Sequence, residues 1–187
     1  WLEDTIPVIL GVGRMTTQKD FPTLISAFAK VRSKRQARLL ILGEGQDQVE
    51  LESLACNLGV ASDVHFAGFA ENPFAYMARA SVYVLSSIYE GLPNALIQAM
   101  ALGIPAVATD CPSGPKEVLE DGRCGELVPM GDCETMATAI LKTLESGCNC
   151  VDEAWRNRYQ VDTVIDQYLE LLGLGSKARL ECLKTLE

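Results

Sequence analysis

The chain has 187 residues, of which 48% are hydrophobic and 22% charged, with a net charge of −9. That is the composition of an ordinary globular protein, long enough to bury a core without covalent staples. The acidic balance argues against broad nucleic-acid binding, whose footprint is basic, but leaves room for one local cationic pocket.

Seven cysteines stand at 56, 111, 124, 133, 148, 150 and 182, an odd number with no CxxC pair. With His65 as the single histidine and no CxxC spacing, a Cys/His zinc site is nearly impossible to build. Reduced thiols in a cytoplasmic protein are expected, with neither disulfide nor metal. No signal peptide is visible. The longest apolar stretch, Ala95 to Ala108, is interrupted by Gln98, Gly103 and Pro105. It falls short of the ~20 residues a membrane helix needs. The start at Trp1, without methionine, reads as a piece of a longer protein.

In chain order, "IPVILGVG" (6–13) is a short apolar run ending in glycines and reads as a buried strand. In "DFPTLISAFAKVRSK", Leu24, Ile25, Phe28 and Val31 share one helical face, with Lys30, Arg32 and Lys34 mostly off it. "RLLILGEG" (38–45) repeats the strand-then-glycine design, and "QVELESLACNLG" is a second amphipathic helix stopped at Gly59. "DVHFAGF" is a third strand, "PFAYMARA" a short helix and "SVYVLSS" a fourth strand. "PNALIQAMALG" is apolar on most sides and is expected to be well buried. "PAVATD" and "GELVP" are the fifth and sixth strands, separated by the short helix "GPKEVLEDG". "CETMATAILKTLES" closes this part with a helix, and the chain after Gly147 reads as all helical, its tail from Gly173 only weakly.

Short, continuous apolar strands alternate with helices, which predicts an α/β fold: a Rossmann-like parallel sheet of about six strands covered on both faces. Two parts are expected, a domain over residues 1–150 and C-terminal helices over 151–187. In such sheets a ligand binds beyond the carboxyl ends of the strands, where strand order reverses. For the order 3-2-1-4-5-6 that point lies between the first and fourth strands. The loops there are "GVGRMTTQKD" and "SSIYEGLPN". The first brings Gly13, Arg14 and Lys19; both cations suit phosphate oxygens. The second leads into a helix start, whose unbonded amides favour an anion. Gly91 lets a ligand approach, and Pro93 suits the first helical turn. Glu90 is repelled by a diphosphate, so it should face something neutral or cationic, with hydroxyl groups as natural partners; a plain helix-dipole partner is the competing reading.

"VGRMTTQKDFPTLISAF", "LLILGEGQ", "EGLPNALIQAMALGIPAVATD" and "CPSGPKEVLEDGRCGELVPMGD" together resemble glycosyltransferase family 4, the retaining sugar transferases of GT-B fold. The resemblance covers roughly residues 6 to 172 and is nearest to enzymes of cell-surface polysaccharide assembly. It implies the C-terminal half of a two-domain enzyme, the half that binds the nucleotide-sugar; the missing N-terminal half binds the acceptor. It implies that Arg14 and Lys19 hold the donor diphosphate and that Glu90 lies at the donor sugar, these three forming the catalytic set. Backbone amides around Leu92, Asn94 and Ala95 would cradle phosphate. The family's second acid, eight positions on, is here Gln98, which can bond to ribose hydroxyls without charge. The reaction implied moves a hexose or N-acetylhexosamine from a UDP- or GDP-sugar to a glycan or lipid-linked acceptor, with retention. No Asp-x-Asp pair occurs, in keeping with the metal-independent, cofactor-free chemistry of the fold. The fragment alone is expected to be inactive, and the intact enzyme to work in the cytoplasm at the inner face of the membrane.

Other segments carry two readings each. Gly43–Gly45 either approach the ligand or only turn the chain. Gly68 and Phe69 either hold the base through their backbone or form a plain loop. "CPSGP" (111–115) either borders the cleft or sets a loop. The basic run Lys30–Arg38 is a solvated helix face or a contact for anionic lipid. Tyr83 and Tyr89 are expected to be packing groups. The rivals to the transferase are a non-catalytic nucleotide-sugar binding module and a GT-B sugar-nucleotide epimerase.

Overall fold

The computed structural model describes residues 5–147 and 151–174. It divides into two compact units, one ending at Cys150 and one beginning at Val151. The expectations about Cys148, Cys150, Cys182 and most of the tail fall outside the described residues.

In the first unit six strands form one parallel sheet in the order β3-β2-β1-β4-β5-β6. They are β1 (Val8–Val12), β2 (Arg38–Leu42), β3 (Val64–Phe66), β4 (Val82–Leu85), β5 (Ala106–Thr109) and β6 (Glu126–Val128). The helices between them are α1 (Phe21–Lys34), α2 (Gln48–Asn57), α3 (Pro73–Met77), α4 (Asn94–Ala101) and α5 (Pro115–Val118), and α6 (Cys133–Ser146) closes the unit. The expected class and strand count are observed, and the order is the one for which the switch point was placed between the first and fourth strands.

The side-chain alternation of the strands explains the two covered faces. Ile9, Leu39, Ile41, Val82, Val84, Val107 and Val128 join Leu24, Phe28 and Val31 of α1 and Met136 and Ile140 of α6 in one core. Residues one step along each strand, such as Leu10, Leu40, Tyr83 and Ala106, are equally buried and face the other way. There α4 packs on β4 and β5. Asp20 starts α1 with its side chain toward the Thr23 amide (3.4 Å), and Asp132 starts α6 by accepting from the Glu134 and Thr135 amides, each at 3.0 Å.

Two expectations are corrected by the packing. α4 is not buried all round: Leu96, Ala99 and Met100 are buried, whereas Ala101 and Leu102 are exposed. A helix on the outside of a sheet has one face against it and one outward, whatever its composition. Pro93 stands at the N-cap rather than in the first turn of α4, its carbonyl accepting from the Leu96 and Ile97 amides. Two cations of the basic run are paired, Lys30 with Glu134 and Arg32 with Asp63.

The second unit holds α7 (Glu153–Arg158) and α8 (Val161–Leu171). Asp152 caps α7 at the Trp155 amide (2.7 Å), and the Trp155 and Tyr159 rings lie 4.7 Å apart. Among the described residues, no helix is long and apolar enough to cross a membrane.

Candidate functional site

The pairing of β1 with β4, Ile9 opposite Val82 and Leu10 opposite Tyr83, sets the carboxyl ends of these strands side by side. Their following loops are therefore adjacent, although 71 positions separate them at Lys19 and Glu90. Four hydrogen bonds stitch them together. The Ile88 amide donates to the Gln18 carbonyl (2.9 Å), and Gln18 Nε2 donates to the Tyr89 carbonyl (3.1 Å). Ser86 Oγ donates to the Lys19 carbonyl (2.6 Å). Lys19 Nζ donates to Glu90 Oε1 (2.6 Å).

Glu90 is the centre of this cluster. Its side chain is 8% exposed and that of Lys19 18%. Oε1 also accepts from Ser87 Oγ at 2.6 Å, while Oε2 meets no protein donor among the described residues. No side chain caps the amides of α4, so Glu90 is not a helix cap. Removing one partner from a well-buried ion pair leaves a stranded charge, at a cost of ~3–5 kcal/mol; the partial exposure of Lys19 lowers that figure here.

The stem of Lys19 runs over Gly13. A β-carbon at Gly13 would lie 2.7 Å from Lys19 Cε. Arg14 is exposed, and its guanidinium meets no protein acceptor among the described residues. Two cationic groups thus flank the end of β1, one paired and one open.

At the start of α4, the Asn94 amide donates to the Leu92 carbonyl (2.9 Å). The amides of Gly91, Leu92 and Ala95 donate to no protein group among the described residues. A β-carbon on Gly91 would meet nothing within 4 Å, so the space there is open. Gln98 sits half-buried on the second turn of α4.

A cavity of about 770 Å³ opens between the ends of β1 and β2, lined by Gly13, Arg14, Leu42, Glu44, Phe69 and Pro73 among others. Its size suits a small-molecule ligand. Gly43 and Gly45 belong to its wall for a packing reason. A β-carbon on Gly43 would come 2.0 Å from the Gly13 carbonyl oxygen, and one on Gly45 2.1 Å from that of Met15. The glycines of "GEG" turn the chain and border the cavity. The Gly68 carbonyl accepts from the Gly43 amide (2.8 Å), and the Phe69 amide leans on Glu44 Oε1 (3.3 Å). The Phe69 ring is 73% exposed at the rim.

"CPSGP" borders the Glu90 loop. Ser113 Oγ donates to the Glu90 carbonyl (2.7 Å), and a β-carbon on Gly114 would come 2.5 Å from the Gly91 carbonyl oxygen. Thr109 Oγ1, at the end of β5, donates to the Ser87 carbonyl (2.5 Å).

Tyr83 is a packing group, as expected; Tyr89 is not, for it is 54% exposed. An apolar ring next to a cleft loop has no sheet face to enter. The Tyr83 hydroxyl is buried with no partner among the described residues. Burial, helped by the Glu90 charge, pushes its pKa well up, so it stays protonated. Burial likewise pushes the Cys111 thiol up. Sequence reasoning did not single out Gln18, Ser86, Ser87 or Thr109. For Ser86, Ser87 and Thr109 the signal is small polar residues at the ends of otherwise apolar strands; Gln18, in the loop after β1, carries none.

Residues 6–146 match the sequence pattern of the family described as glycosyl transferases group 1. The chain belongs to the group 1 glycosyl transferases. The LpsE glycosyltransferase of lipopolysaccharide core biosynthesis in Rhizobium meliloti is 33% identical over 173 residues, which are 89% of this chain and 50% of LpsE. A Campylobacter jejuni N-acetylgalactosaminyltransferase acting on a diphospho-undecaprenol substrate is 34% identical over 150 residues, 80% of this chain and 40% of that enzyme. Among solved structures, the galactosyltransferase WaaB of the lipopolysaccharide outer core superposes with a TM-score of 0.78 at 25% identity. The match covers 91% of this chain and 50% of WaaB. Anabaena Alr3699/HepE, solved with UDP and glucose, gives 0.78 at 25% identity, covering 90% of this chain and 48% of that one. The chain thus spans about half the length of these glycosyltransferases or less, and it is the C-terminal, Rossmann-like half of the GT-B fold.

Proposed function

We propose that this domain binds the nucleotide-sugar donor of a retaining transferase. The enzyme would move a hexose or N-acetylhexosamine from a UDP- or GDP-sugar to a glycan or lipid-linked acceptor, in cell-surface polysaccharide assembly. The observation that carries the reading is that the adjoining loops after β1 and β4, joined at Lys19 and Glu90, hold three sets of groups with no protein partner among the described residues: the Arg14 guanidinium, the amides of Gly91, Leu92 and Ala95, and one oxygen of Glu90. Cations and amides suit a diphosphate, and a carboxylate oxygen suits sugar hydroxyls. HepE, with its UDP and glucose, shares the fold over most of this chain.

In this reading residues 1–150 are the donor domain. The cavity beside Arg14 takes the nucleoside, with the Gly68–Phe69 backbone at the base and Gln98 toward the ribose. The leaving diphosphate gains charge as the glycosidic bond breaks. Arg14, Lys19 and the start of α4 stabilise that charge, and such preorganised groups act most strongly in the transition state. Glu90 accepts hydrogen bonds from the sugar beside the reacting carbon. The acceptor comes from the other half of the enzyme, at the cytoplasmic face of the membrane. Calorimetric titration of the chain with UDP, GDP and ADP and with UDP-glucose, UDP-N-acetylglucosamine, GDP-mannose and ADP-glucose tests this. Binding of at least one nucleotide-sugar more tightly than its free nucleotide is expected; no binding across the panel overturns it.

A further inference from the structure

Glu90 Oε1 accepts from two donors of different standing. Lys19 reaches it from the other loop, on a flexible stem laid over Gly13. Ser87 belongs to Glu90's own loop, three positions back, and is fully buried. Its backbone is pinned in turn, because Thr109 Oγ1 donates to the Ser87 carbonyl at 2.5 Å. Lys19 carries a charge that a diphosphate beside it attracts more strongly than one carboxylate does. Ser87 carries none, so an arriving anion exerts no comparable pull on it.

We propose that Ser87 is a positioning residue for sugar recognition: it keeps hold of Glu90 Oε1 when Lys19 turns to the diphosphate, leaving Oε2 for the sugar hydroxyls. Without it, the exchange would strand a carboxylate that is only 8% exposed, and the freed side chain would rotate. A carboxylate with one oxygen fixed has one orientation for the other, so the hydroxyl it accepts from is selected by position. Thr109 acts one step further out, by fixing the carbonyl of Ser87. The inference rests on the donor-site reading above and goes beyond it, since it assigns the discrimination of sugar from bare nucleotide to a residue that touches neither.

The test compares free nucleotide with nucleotide-sugar, using UDP with UDP-glucose and GDP with GDP-mannose, and taking the pair that the wild type binds. Ser87→Ala is expected to leave nucleotide affinity within about twofold and to cut the extra affinity of the nucleotide-sugar about tenfold, the scale of one hydrogen bond to a charged group. In the Glu90→Gln background, Ser87→Ala is expected to add little, because both changes act on one contact. A purely structural role would instead lower the melting temperature and weaken both ligands alike. Thr109→Val keeps the side-chain volume and is expected to show the same selective loss, so it decides the matter if Ser87→Ala does not fold. Equal losses on both ligands, or a loss that adds fully to that of Glu90→Gln, overturn the role of Ser87 while leaving the donor site standing. A wild type that binds neither pair overturns both.

Discussion

Lys19 Nζ and Glu90 Oε1 meet at 2.6 Å across the boundary between β1 and β4. The pair joins a cation suited to phosphate to an acid suited to hydroxyls.

Arg14→Ala and Glu90→Gln should therefore part company. Arg14 has no protein acceptor to lose among the described residues, so its removal is expected to weaken free nucleotide and nucleotide-sugar alike, by about tenfold or more, the effect of one charge-assisted bond of ~1.5–3 kcal/mol. Glu90→Gln removes repulsion from the diphosphate and releases Lys19. Free nucleotide should bind as well or better, and the nucleotide-sugar should lose its advantage. Titration of both ligands against both variants checks this; equal effects of Glu90→Gln would remove Glu90 from the sugar.

Two glycines of the site should respond in opposite ways. Gly43 has φ +132°, and a β-carbon there would collide with the Gly13 carbonyl. Gly43→Ala is expected to cost roughly 2–4 kcal/mol of stability from strain and overpacking. Gly91 has open space around its α-carbon, so Gly91→Ala should alter stability by no more than about 0.5 kcal/mol while weakening donor binding. Denaturant unfolding and calorimetry on the two variants give the four numbers needed; a strongly destabilised Gly91→Ala would contradict the open space seen here.

The 187-residue chain spans about half of the enzymes it resembles. It should bind donor and transfer no sugar to a lipid-linked acceptor. Radiolabelled transfer assays with the purified chain check this, and multiple turnovers would show that the acceptor site lies within these residues.

Thiol accessibility offers a check on the fold itself. Cys56 is exposed and Cys111 is buried with its thiol pushed up. Labelling of the native chain followed by peptide mapping should modify Cys56 readily. Cys111 should stay protected even as pH rises through the usual thiol range, because a raised pKa keeps it protonated, and should label on unfolding. Rapid native labelling of Cys111 would place the β5 loop elsewhere.

How much of this could be read beforehand differs from element to element. The six strands and their parallel arrangement were legible as short apolar runs between amphipathic helices, whereas their order entered only as a condition and was decided by the sheet itself. Arg14, Lys19, Glu90 and Gly91 stood out as chemistry in glycine-marked loops. The one-sided burial of α4 did not, since its composition is apolar on both sides. Nor did the exposure of Tyr89, which depends on where its loop leaves the sheet.

Local pattern by itself determined the elements and the end of the sheet where a ligand belongs, because periodicity and turn chemistry act within a few residues. Partnership was decided only by the tertiary structure. On sequence grounds Lys19 is a cation suited to phosphate; the pairing of β1 with β4 brings it to Glu90 from 71 positions away. Ser87 looked like the tail of a strand until the neighbouring Thr109 of β5 pinned its carbonyl and turned its neighbourhood into a hold on Glu90. Such contacts follow from strand order and register, which are properties of the whole sheet, and the bonds they form are too short-ranged to survive a shift of one residue.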